Sequence, residues 1–101
     1  MHGGATDILL GRRVRRVQVE IAPDLQVCVL EAADADVVLE ESVAGDGDPY
    51  AAVLWPSAIA AAVRLPDVVV RPGVRVLDVG AGTGIVSLTA AHLGARATAL
   101  D

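Results

Sequence analysis

Nine consecutive residues, Val76-Leu77-Asp78-Val79-Gly80-Ala81-Gly82-Thr83-Gly84, constrain the fold of this chain more than any other stretch. They begin inside a run rich in β-branched residues at 74–79, which predicts a strand buried on both faces. Beyond them Ile85, Val86, Leu88, Ala91 and Leu93 give a helix with a broad apolar face, started near Thr83 and stopped at Gly94. Glycines at 80, 82 and 84 let the backbone reverse within five residues, through angles that side chains disfavour. Residues 95–100 follow at the right distance for a second parallel strand. The order β-loop-α-β is the first unit of a doubly wound α/β sheet.

A loop of this kind leads into the positive end of a helix dipole and its free amides, so it welcomes an anionic group. The dinucleotide pattern G-x-G-x-x-G, counted from Gly80, would put its third glycine at Ile85, where a bulky side chain opposes close helix–strand packing. Counted from Gly82 it uses Gly84 and Ser87, a poorer match. Asp78, two residues before the loop, would repel a pyrophosphate but favours a cofactor carrying an ammonium and a sulfonium. Asp101 lies 21 positions after Gly80, where an acidic residue can hold a ribose diol. That role serves NAD and S-adenosylmethionine alike, and a purely structural glycine turn is the remaining alternative.

The first half of the chain reads differently. Residues 1–11 show no periodic pattern and read as a frayed terminus. Val17, Val19 and Ile21 alternate with Gln18 and Glu20, predicting a half-buried strand from Val14 onward. Ala22-Pro23-Asp24 supplies a turn, and Leu25, Val27 and Val29 continue on a second strand. An acidic break from Glu31 to Asp36 precedes a third short strand at 37–39. This half is expected to be a small antiparallel meander without chemistry. The Gly-Asp-Gly-Asp-Pro stretch within 44–49 is the clearest linker. After it, Ser57 is placed to cap a helix that Pro66 should end at Leu65. That helix is apolar nearly all round, which implies burial.

The net charge of −5 argues against a nucleic-acid surface, and the one basic cluster, Arg12, Arg13, Arg15 and Arg16, reads as a solvated strand start. Cys28 is the single cysteine, so no disulfide forms within the chain and a reducing cytosol is the default compartment. It is expected as a small core side chain. No signal peptide, membrane span or metal-ligand cluster is evident, so the expectation is a soluble, cytoplasmic protein without membrane or nucleic-acid partners. A length of 101 residues is short for a complete nucleotide-binding α/β enzyme.

The stretch V-L-D-V-G-A-G-T-G at 76–84 resembles motif I of the class I S-adenosylmethionine-dependent methyltransferases. With P-Y-A-A-V-L-W-P-S-A from Pro49 and H-L-G-A-R-A-T-A-L-D ending at Asp101, the chain is similar to the nicotinamide and protein-lysine methyltransferase-like group. The resemblance covers about half the chain. It implies an α/β, truncated Rossmann-like fold: residues 1–48 form an amino-terminal β-rich segment, and 49–101 begin the cofactor domain with a helix and one β-α-β unit. It also implies S-adenosylmethionine as cofactor, a protein lysine amine as methyl acceptor in the intact parent, and an inactive fragment here. Under it, Trp55, Asp78, Gly80, Ala81, Gly82, Thr83, Gly84 and Asp101 are the cofactor-binding residues, with Trp55 lining the pocket. The catalytic residues, the acceptor's identity and the oligomeric state stay open. An NAD-dependent oxidoreductase domain and a non-catalytic fragment that only folds or docks on another chain are the competing readings.

Overall fold

The computed structural model describes residues 7–9, 12–34, 53–69 and 71–101. In chain order these form β1 (Asp7–Leu9), β2 (Arg12–Ala22), β3 (Leu25–Ala32), α1 (Pro56–Val68), β4 (Arg75–Val79), α2 (Ile85–His92) and β5 (Arg96–Leu100). The strand expected at 37–39, the linker at 44–49 and Tyr50 lie outside the described residues.

The alternation of apolar residues builds the hairpin of β2 and β3. Val17 faces Val29 and Val19 faces Val27, with the chain turning at Pro23-Asp24. A register shift between Glu20 and Ala22 accommodates one extra residue in β2, the device that twists and bends a strand locally. Val27 and Val29 are almost wholly buried, and Ile21 joins them.

The structure corrects three readings of this half. Residues 7–9 are not a frayed end but a strand, pairing antiparallel with β2 through Asp7 and Val14, Ile8 and Arg13, and Leu9 and Arg12. Backbone pairing to a free edge needs no side-chain alternation, so three residues carry no readable period. Glu31 is not part of an acidic break: it belongs to β3, opposite Arg15, and is buried. Cys28 is exposed rather than in the core, because it pairs with Gln18 on the face opposite Val27 and Val29.

Helix α1 starts two residues earlier than a Ser57 cap would place it. Trp55 is its N-cap and Pro56 its first residue, where a missing amide and a fixed φ cost nothing. The Trp55 carbonyl accepts the amides of Ala58 (3.0 Å) and Ile59 (3.2 Å). Pro66 does not end the helix. The proline lies in the last turn, and the Val69 amide still reaches the Leu65 carbonyl at 2.7 Å. Nor is α1 buried all round. Ala62 is sealed and Ala58 and Ile59 pack on the core, while Ser57, Ala60, Ala61, Val63 and Arg64 are exposed. Alanine on a solvent face forfeits little burial, so an Ala-rich pattern overstates how much of a helix is inside.

Strands β4 and β5 pair in parallel, Arg75 against Arg96 through Val79 against Leu100, joined by α2. Helix α2 ends on a Schellman motif, with Gly94 at φ 91°, its amide on the Ala91 carbonyl and the Ala95 amide on that of Ala90. Ile85, Thr89 and Ala90 are fully enclosed, and the Thr89 hydroxyl donates to the Ile85 carbonyl at 2.7 Å. Burial on both faces of β4, expected from its composition, is not what the described residues show. Leu77 and Val79 are 62% and 75% exposed, and Leu100 is 50% exposed beside them. The core cluster of Ile21, Val27, Val29, Ala62 and Ile85 draws on the hairpin, α1 and α2, so it takes residues from both sides of position 48.

Candidate functional site

The loop between β4 and α2 takes its shape from three glycines in the left-handed region: Gly80 at φ 71°, Gly82 at 55° and Gly84 at 84°. Gly84 is the N-cap of α2, in place of the expected start near Thr83. Its amide donates to the Ala81 carbonyl (2.9 Å), and its own carbonyl accepts the Leu88 amide (2.9 Å). A Cβ at Gly80 or Gly84 would meet no atom within 4 Å. The backbone there is bent by its glycines and lies open above them.

The amides of Gly80 and Ala81 both donate to the carbonyl of Leu100, at 2.8 and 2.9 Å. One acceptor on the last residue of β5 therefore anchors the start of the loop. Asp101 follows Leu100 directly, exposed, so the structure brings its carboxylate to the same end of the sheet as the loop. Asp78 faces α2 and is tied to it, accepting a hydrogen bond from the Ser87 hydroxyl on Oδ2 at 2.8 Å. A carboxylate held this way has oxygen capacity left for a second donor.

Trp55 is half-buried at the lead-in to α1. Its neighbours Leu54, Ala58 and Ile59 pack on the same cluster as Ile85 and Val86, the first two residues of α2. The Trp55 segment and the helix that follows the loop thus share one packing surface. Thr83 is half-buried in the loop and Gly82 exposed.

Two contributors were not singled out by their sequence. Ser87 appeared only as a failed glycine position, yet it links α2 to β4. Glu31 receives Arg15 Nε (3.1 Å) and Nη2 (2.6 Å) on Oε1 and the Leu54 amide on Oε2 (2.7 Å). Its signal was the phase of β3: Glu31 continues the Val27, Val29 parity and so had to face inward.

Two acceptor carboxylates, Asp78 and Asp101, thus flank the glycine loop. Residues 59–101 match the family model of the ribosomal protein L11 methyltransferases (PrmA). The protein-lysine methyltransferase METTL21E of Bos taurus is 44% identical over 57 residues, which is 54% of this chain and 20% of that protein. In sequence, this part of the chain is methyltransferase-like. A methyltransferase-like protein 21E pseudogene of Homo sapiens is 42% identical over 57 residues, covering 54% of this chain and 21% of its own length. The chain spans about a fifth of the length of these curated relatives. Among the described residues of the methyltransferase-like chain, no group of three or more His, Cys, Asp or Glu could hold a metal ion, and no helix is long and apolar enough to cross a membrane.

Proposed function

We propose that this chain carries the cofactor loop of a class I S-adenosylmethionine-dependent methyltransferase that modifies a protein, at a lysine amine. The observation that carries the reading is the anchoring of the glycine loop on Leu100. It draws the loop, the start of α2 and Asp101 together at the carboxyl ends of two parallel strands, the edge where α/β sheets bind ligands. The description of the Bos taurus relative as a protein-lysine methyltransferase supports the acceptor class.

In this reading Gly80, Ala81, Gly82, Thr83 and Gly84 shape the pocket for the aminoacyl end, whose carboxylate is met by the first-turn amides of α2. Asp78 favours the ammonium, Asp101 accepts from the ribose hydroxyls, and Trp55 lines the pocket. The bound cofactor supplies an activated methyl group. The protein's share is positioning, since an in-line displacement depends on holding donor and acceptor in register. Residues 49–101 begin a Rossmann-like cofactor domain, residues 1–48 precede it, and the groups that orient the acceptor lie in a longer, cytoplasmic parent. The 101-residue chain alone is inactive.

Calorimetric titration of the parent with S-adenosylmethionine and with NAD tests the reading. Saturable binding of the first and none of the second is expected. Tighter binding of NAD would replace the reading with that of an oxidoreductase domain, and methyl transfer by residues 1–101 alone would refute the inactive fragment.

A further inference from the structure

Glu31 is a buried carboxylate on a strand of the hairpin, remote in sequence from the glycine loop, and its contacts run toward the loop's surroundings. Its side chain is 7% exposed, against 56% for its partner Arg15. Such a group is expensive to desolvate, and its burial is offset only where several donors converge on it. Three do: the two guanidinium nitrogens of Arg15 on Oε1 and the Leu54 amide on Oε2. The Leu54 bond spans 23 residues of sequence and reaches the residue just before Trp55, the N-cap of α1. Arg15 fixes the carboxylate, the carboxylate fixes Leu54, and Leu54 sets where the Trp55 backbone leaves the hairpin.

We propose that Glu31 is a positioning residue for the cofactor pocket, acting through the Leu54 amide to hold Trp55 in place. The proposal rests on the methyltransferase reading above. What matters is the reach of the side chain to the Leu54 amide. Glu31→Gln keeps the length and one acceptor oxygen for Leu54 while giving up the bonds from the largely exposed Arg15, whereas Glu31→Asp keeps the charge for Arg15 but draws the oxygens back by one methylene.

Trp55 is the single tryptophan of the 101 residues, so its emission reports this segment alone. In the 101-residue chain, Glu31→Asp should move the Trp55 emission to longer wavelength while Glu31→Gln leaves it near that of the unsubstituted protein. In the intact parent, S-adenosylmethionine affinity by calorimetry should fall about three- to tenfold in Glu31→Asp, the worth of one hydrogen bond, and recover in Glu31→Gln. Thermal unfolding of both variants separates this from a loss of stability, because positioning predicts the affinity loss at a melting temperature shared with Glu31→Gln. Emission and affinity unchanged in Glu31→Asp would overturn the role while leaving the methyltransferase reading intact. An unsubstituted parent that does not bind S-adenosylmethionine would remove both.

Discussion

At Gly80 the backbone φ is 71° and a Cβ would meet nothing, so conformation and crowding can be told apart at this residue. Gly80→Ala should cost about 1–2 kcal/mol from the left-handed angle alone, read as a lowered midpoint in thermal unfolding. Gly82, at φ 55°, is placed where the loop would admit a ligand to the backbone. Gly82→Val in the parent should abolish S-adenosylmethionine binding with the circular dichroism spectrum unchanged; retained affinity would show that the loop does not touch the cofactor. Asp101→Ala should weaken binding by about 1–3 kcal/mol, as for losing hydrogen bonds to a charged acceptor, measurable by calorimetry. The glycine turn could be read from the sequence because its spacing is itself the signal. Ser87 and Leu100 could not. One is a common helix residue, and the other contributes only a carbonyl, which every residue possesses.

Among the elements, hairpin, loop and parallel pair followed from local pattern, since alternation and glycine spacing act over a few residues. The limits of α1 did not. A proline in the last turn removes one amide, and the helix closes beyond it through Val69 and Leu65. Pro66→Ala should therefore stabilise the protein by about 1 kcal/mol, the helical gain being offset in part by a freer unfolded chain. A melting midpoint that falls instead would mean that the ring's own packing outweighs the restored amide. Burial of α1 was overestimated for a related reason: a row of alanines fixes hydropathy without fixing which stripe meets a neighbour. That stripe, Ala58, Ile59 and Ala62, is chosen by the hairpin and α2.

For the whole molecule, what covers what was the least legible property, because contacts between distant segments leave no mark on local periodicity. The outer face of β4 and β5 carries Leu77, Val79 and Leu100 in the open. An apolar sheet face of this sort attracts further protein. The 101-residue chain should self-associate in sedimentation velocity, and Leu77→Glu should shift it toward monomer. The two halves also differ in when they can form. β2 meets β3 across a two-residue turn, a closure on the order of 1–10 μs for a hairpin. The Gly80 and Ala81 amides bond a carbonyl 20 and 19 positions along the chain, at the end of β5. Closing a stretch of this length costs more chain entropy than closing a two-residue turn. The glycine loop therefore takes its shape after the hairpin, and solvent exchange at those two amides reports the docking of β5.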